Sequence, residues 1–243
     1  MTEKIHGNSI YGTETLEVIS AADNFNRWMY ETIKPFCSGD ILEIGSGIGN
    51  ISRFFVEDGA DITLSDIENS YFPRLKEKFV DHPNLMGIHL LDFSDKNLEK
   101  NHPGLIGKFD TIFALNVVEH IPDHEQAMKN AMKLLKKGGR VIILVPAFQS
   151  LFNGFDHKLD HQRRYTVKSL KQLMEGSGFR VIHSQYFNFI AILGWYVSGN
   201  ILKKTIIPTG QMRFYDALVP VWKFLDIFVR KLIGISVIQV GLK

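Results

Sequence analysis

The chain has 243 residues, 45% of them hydrophobic and 22% charged, which is enough apolar material for one substantial core. Its 28 basic residues stand against 26 acidic ones, a net charge of +2 that argues against a nucleic-acid partner. A single cysteine, Cys37, excludes an internal disulfide and fits a reducing compartment. The first residues lack the charged-then-apolar pattern of a signal peptide, and no apolar run reaches the roughly eighteen residues of a membrane span. The expectation is a soluble, cytoplasmic protein.

The first twenty residues show no clear period. From Asp23, the apolar positions Phe25, Trp28, Met29 and Ile33 follow helical spacing up to Pro35. This helix either covers a sheet edge or closes over a ligand. A short apolar strand, Ile41 to Ile44, then breaks into Gly45, Gly47 and Gly49 before a helix pattern resumes through Ile51, Phe54 and Phe55. Glycines between a strand and a helix let the backbone approach a ligand, and the helix start offers free N–H groups. A second strand, Ile62 to Ser65, ends at Asp66, about twenty residues on, where a ribose-binding acid sits in dinucleotide folds.

A short helix is expected from Pro73 to Val80, a third strand from Leu85 to Leu91 ending in Asp92-Phe93, and a fourth from Phe109 to Leu115 running into Asn116. Pro122 opens a helix with Ala127, Met128, Ala131, Leu134 and Leu135 on one face. Lysines fill its last turn and Gly138-Gly139 ends it. The strand Arg140 to Val145 is almost wholly apolar, so it is expected to be central and parallel. Thr166 caps a further helix. Strands starting near Phe179 and Ile235 bracket an aromatic-rich insert over residues 187–234. Alternation of this kind implies a doubly wound α/β sheet.

The glycines read G-x-G-x-G after Glu43, not the G-x-G-x-x-G of dinucleotide binders. Together with Asp66, Asp92-Phe93, Asn116 and Leu135-Lys136-Lys137-Gly138-Gly139-Arg140, they resemble the class I S-adenosylmethionine-dependent methyltransferases. The resemblance covers about residues 33–189 and the last strand. It implies a Rossmann-like, seven-stranded sheet, mostly parallel with an antiparallel last strand, and a helical insert before it. It also implies one methyltransferase domain over 1–243: a helical lid (1–38), a cofactor core (39–186 and 235–243) and the insert (187–234). The cofactor would be S-adenosyl-L-methionine, leaving as S-adenosyl-L-homocysteine. Gly45, Gly47 and Gly49 would pass close to its methionine part, Asp66 would meet the ribose, Asp92 and Phe93 the adenine, and Asn116 the amino group, with Ile67 a further cofactor contact. Glu43 either touches the cofactor or fixes the loop. The loop Asp156 to Thr166 resembles a subset that modifies sugars, lipids or secondary metabolites.

Methyl transfer from a sulfonium needs alignment and exclusion of water, and a base only where the acceptor must lose a proton. Histidine titrates near neutrality, so His161 and His120 are the candidate catalytic groups; His120 could equally brace a helix start. Arg163 and Arg164 either bind an anionic substrate or anchor the loop. Tyr165 either packs just before the helix cap or joins Trp195 among the candidate acceptor contacts. No cluster at metal-ligand spacing stands out, so no metal is expected. The insert is expected to form helices over a small-molecule acceptor, with its surplus apolar surface meeting the core, a second subunit or a lipid surface. A nicotinamide-dependent oxidoreductase and a non-catalytic cofactor-binding module are the competing readings. A nucleic-acid amino-methyltransferase is disfavoured, since its Pro-Pro-aromatic clamp is absent after Asn116.

Overall fold

The computed structural model describes residues 6–204 and 209–243, with side chains from residue 12 onward. Seven strands form one sheet: β1 (Ile41–Ile44), β2 (Ile62–Asp66), β3 (Leu85–Leu90), β4 (Phe109–Leu115), β5 (Leu135–Pro146), β6 (Arg180–Phe187) and β7 (Ser236–Leu242). Their order is β3-β2-β1-β4-β5-β7-β6. The pairs from β3 to β5 are parallel, and β7 runs antiparallel between β5 and β6. The sheet is a doubly wound, Rossmann-like one.

Eleven α-helices are described: α1 (His6–Ser20), α2 (Asp23–Ile33), α3 (Ser52–Glu57), α4 (Phe72–Lys78), α5 (Leu98–Asn101), α6 (His124–Leu134), α7 (Gly154–Lys158), α8 (Val167–Gly176), α9 (Ala191–Tyr196), α10 (Thr209–Ala217) and α11 (Val219–Val229). Side chains alternate across a strand, so each central strand feeds two cores. In β5, Val141, Ile143 and Val145 join the core that holds Met128 and Leu170 from α6 and α8. Ile142 and Leu144 face the other core, with Trp28, Phe54 and Phe55 from α2 and α3. From Val141 to Pro146 both faces of β5 are therefore buried, which explains its apolar run there. The strand expected to be parallel is so only to β4 and is antiparallel to β7.

Three elements depart from the sequence reading. The unperiodic first twenty residues contain α1, whose carbonyl at Leu16 accepts from Asn50 Nδ2 at 3.1 Å. Its Glu17 pairs with Arg74 on α4. Docking, not amphipathic pattern, holds this helix. Secondly, α6 starts at His124 behind Asp123, which accepts from the Gln126 N–H, so Pro122 lies before the cap. Thirdly, α6 ends at Leu134 and the next residues already belong to β5. Lys136 pairs with Asp40 and Asp110, both at 2.7 Å, and these tertiary contacts replace the helix end that the lysines and glycines predict.

Candidate active site

The strand order reverses between β1 and β4, the place where open α/β sheets bind ligands beyond their carboxyl ends. A cleft of about 780 Å³ opens there. Its floor at one end is the glycine loop. Gly45, Gly47 and Gly49 all have positive φ, between 51° and 77°, where side chains with a Cβ are strained. A Cβ on Gly45 would also run into Val117. The Gly45 and Ser46 N–H groups both donate to Ser65 O, tying the loop to β2.

Asp66 closes the arrangement from the end of β2. One oxygen accepts from Gly47 N at 2.8 Å and the other from Glu68 N at 2.9 Å. Burial raises its carboxyl above the usual range, and these backbone N–H groups oppose the rise. Both oxygens keep a second lone pair, and Asp66 lines the cleft beside the exposed Ile67. Glu43 is buried at the end of β1 and accepts from the Ser52 hydroxyl of α3, so it couples strand to helix under the loop. Burial pushes its carboxyl up to about 7. Asp92 lies exposed at the rim, where Ser94 holds one of its oxygens, while Phe93 is buried. Asn116 sits at the end of β4 with φ 55° and donates its N–H to Leu144 O. All eight candidate cofactor positions other than Gly49, namely Glu43, Gly45, Gly47, Asp66, Ile67, Asp92, Phe93 and Asn116, line this one cleft.

The helix α1 borders this end. Gly12, Thr15, Leu16 and Ile19 line the cleft, and a Cβ on Gly47 would meet the Leu16 side chain. The helix α2 contributes Phe25, Asn26 and Met29 to the same wall while its Trp28 and Ile33 pack on the sheet. It therefore covers the sheet and borders the cleft.

The other end of the cleft is made of side chains. Asp156, in α7 and wholly buried, is its hub. Its Oδ1 accepts from Arg164 Nε at 2.8 Å and contacts His161 Nδ1 at 2.7 Å. Its Oδ2 accepts from Arg164 Nη2 at 3.0 Å and from Asn153 N at 2.9 Å. Burial works to raise Asp156, but His161 and Arg164 outweigh it and hold the carboxyl below its usual range. With Asp156 on Nδ1, the Nε2 of His161 is left toward Glu119, whose Oε1 is 4.0 Å away. His120 packs edge-on to His161, ring centres 4.7 Å apart. Burial, and then His161, push His120 down to about 4, so its ring is neutral at pH 7. Glu119 is fully buried, and burial pushes its carboxyl up to about 8.

Trp195 of the insert lines the cleft, donates to Leu151 O at 3.1 Å, and lies under the Arg164 guanidinium. Three of the residues assigned to the acceptor do other work. The Arg163 guanidinium donates to Ile121 O and Pro122 O, outside the cleft lining. Tyr165 is buried in the sheet core with its hydroxyl on His124 Nδ1 at 2.7 Å. Arg164 borders the cleft, but Asp156 and Ala147 O occupy its guanidinium. The contacts of all three tie the loop down, and for Arg164 and Tyr165 burial requires them, because buried donors must find partners before any ligand arrives. The residue that sequence reasoning missed is Glu119. A lone glutamate between Val117-Val118 and His120-Ile121 is the available signal: an acid embedded in apolar neighbours at a strand end.

A methyltransferase-domain family model matches residues 21–184. Among curated proteins, the chain is 32% identical over 136 residues to the polyketide synthase component of lovastatin nonaketide synthase from Aspergillus terreus, covering 54% of this chain and 4% of that protein. The chain thus spans a small fraction of the curated relatives it matches. Among solved structures, phosphoethanolamine N-methyltransferase 2 of Haemonchus contortus in complex with S-adenosyl-L-methionine superposes with a TM-score of 0.59 at 17% identity, over 88% of this chain and 52% of that one. A SAM-dependent methyltransferase from Archaeoglobus fulgidus gives 0.58 at 17% identity, over 90% and 94%. At such identities the likeness to the solved structures is one of fold.

Proposed function

The chain belongs to the class I S-adenosylmethionine-dependent methyltransferase family, and from that premise we propose that it methylates a small, partly apolar acceptor of natural-product, lipid-linked or sugar type. The observation that carries this reading is the division of the cleft. One end is a polar cradle of glycine backbone, Asp66, Asp92 and Asn116, suited to a nucleoside and an amino acid. The other is walled by Phe155, Trp195, Ala191, Met212 and Tyr215, largely from the insert, around the polar group of Glu119, His120 and His161. In this reading the glycine loop takes the methionine part, Asp66 the ribose diol and the Asp92–Phe93 segment the adenine. His161, oriented by Asp156, accepts the acceptor's proton as the methyl group transfers. The polyketide synthase relatives favour a natural-product acceptor.

The insert also supports presentation of the acceptor at a lipid surface. Phe214, Val221, Phe224, Phe228 and Leu232 are each at least half exposed. Lys203, Lys204, Arg213, Arg230 and Lys231 of the same insert are also exposed. Exposed apolar side chains on an insert that also carries basic residues suit an anionic membrane. Among the described residues no helix is long and apolar enough to cross one.

Turnover followed by release of S-adenosylhomocysteine tests the acceptor class. Apolar phenols, alcohols and 1,3-dicarbonyl compounds are compared with short polar amines such as phosphoethanolamine. Turnover confined to the apolar set is expected; turnover confined to the polar amines overturns the reading. Flotation with anionic vesicles tests the lipid surface, with loss of binding expected for Phe224→Glu/Phe228→Glu. Light scattering that shows a dimer whose formation requires the same two phenylalanines would assign the strip to a second copy instead.

A further inference from the structure

We propose that Glu119, His120 and His161 bind a divalent transition-metal ion at the acceptor end of the cleft, and that this ion takes an oxygen of the acceptor as a further ligand. The proposal rests on the reading above that places the acceptor at this end, and it requires that acceptor to carry an oxygen. One ligand atom from each residue lies within 4.8 Å of the other two. Ligands about 2.1 Å from a shared ion sit roughly 3–4 Å apart, so small side-chain rotations close the set.

The second observation is independent of that spacing. Glu119 is fully buried, and apart from its own backbone N–H neither of its carboxyl oxygens has a hydrogen-bond partner among the described residues. Buried acids normally find partners, and this chain does so elsewhere: Glu43 accepts from Ser52, and Asp156 accepts from Arg164 and Asn153. The nearest fixed cation cannot serve Glu119, because Arg164 is spent on Asp156 and on Ala147 O. The orphaned carboxylate faces the cleft together with His120 and His161.

The surroundings complete the design of a metal site. Ligating histidines usually donate their second ring nitrogen to a carboxylate, which fixes the tautomer and aims the other lone pair at the ion. Asp156 stands in that position on His161 Nδ1, at 2.7 Å, and is itself clamped by Arg164. Two imidazoles and one carboxylate suit a borderline transition ion better than magnesium or calcium, and leave coordination positions open toward the cleft. There the ion would bind an acceptor hydroxyl and lower its pKa, as metal ions do for bound water. With the ion bound, His161 Nε2 is a ligand and the ion replaces it as the group that handles the proton. The hydroxyl proton goes to solvent, the oxygen forms its bond to the methyl carbon, and the carbon–sulfur pair returns to sulfur as S-adenosylhomocysteine.

Titration of the full-length, untagged chain with Co2+, followed by calorimetry and by visible absorption, tests this. One Co2+ per chain is expected, displaced by Zn2+. Glu119→Gln and His161→Gln should each weaken it tenfold or more, and His157→Ala, at an exposed histidine nearby, should leave it unchanged. S-adenosylhomocysteine affinity is measured on every variant, with and without chelator, and should stay within about twofold. That control separates the two readings: failure of S-adenosylhomocysteine to bind at all strikes the methyltransferase assignment, not the metal site. Should Glu119→Gln fail to fold, His161→Gln decides. No saturable Co2+ or Zn2+ binding up to about 1 mM, or equal affinity in the wild type and the folded variants, overturns the proposal.

Discussion

The two ends of the cleft are built on different principles. The cofactor end is backbone: three glycines in left-handed geometry, N–H groups turned onto Ser65 and Asp66, and an acid at a strand terminus. The acceptor end is side chain: Asp156 in α7, His161 and Arg164 in the loop after it, Glu119 and His120 after β4, and Trp195 in the insert. A backbone cradle is fixed as soon as the sheet forms. A side-chain cluster stands or falls with its hub, so mutations at the two ends should separate into different kinds of loss.

The largest effect is expected at the hub. Asp156→Ala leaves the Arg164 guanidinium buried without its carboxylate, a loss of about 3–5 kcal/mol for a broken buried pair. Denaturant unfolding should show that drop, and turnover should vanish. Retained S-adenosylhomocysteine binding in the variant that remains folded would sharpen the separation of the two ends; stability unchanged within 1 kcal/mol, on the order of an exposed pair, would break it.

Next comes a pH effect at the cofactor end. Burial raises the Glu43 carboxyl from 4.5 to about 7. The folded state therefore holds this proton in a range where the unfolded chain has released it. The contribution of Glu43 is greatest below pH 4.5, declines as pH rises toward 7, and is flat above that. Its full size is at most about 3 kcal/mol. Glu43→Gln should flatten this part of the stability profile, as read by melting temperature between pH 5 and 8. An unaltered slope would contradict the placement of Glu43.

Asp66→Ala is expected to weaken S-adenosylmethionine binding by about 1.5–3 kcal/mol, the range for hydrogen bonds to a charged group. Some of that loss will come through the loop, because Gly47 N leans on the same carboxylate. The smallest effect belongs to α1. Arg74→Ala severs the exposed pair with Glu17 that ties α1 to α4, worth roughly 0.2–1 kcal/mol. Stopped-flow release of S-adenosylhomocysteine should quicken only a few-fold, with turnover by the acceptor end intact.

This contrast also governs what could be read in the chain of residues. The strands are legible where burial on both faces leaves short apolar runs, as in Ile41-Leu42 of β1 and residues 141–146 of β5. The glycine loop was legible because backbone recognition leaves a spacing in the sequence. The helix α1 was not, since its hold on the glycine loop runs through a Leu16 carbonyl, which carries no side-chain signature. The start of β5 was misjudged because Lys136 answers to Asp40 and Asp110, distant in sequence. The acceptor end was half legible. His161 and its acidic neighbour stood out in one loop, but nothing local tells that Arg164 is consumed by Asp156, that Tyr165 reaches His124, or that Glu119 meets His161 across some forty residues. For the same reason the expectation of no metal, drawn from spacing alone, could not weigh Glu119, His120 and His161, which only the fold brings together.

The most direct test of the account pairs two variants in two assays. Asp66→Ala and His161→Ala are compared with the wild type for S-adenosylhomocysteine affinity by calorimetry and for single-turnover methyl transfer at saturating cofactor. The account predicts a crossing of effects: Asp66→Ala loses affinity by tenfold or more, while His161→Ala keeps affinity within about twofold and loses methyl transfer. A cleft that ignores S-adenosylhomocysteine and binds a reduced nicotinamide dinucleotide, or a His161→Ala protein that loses cofactor affinity with its fold intact, would contradict it.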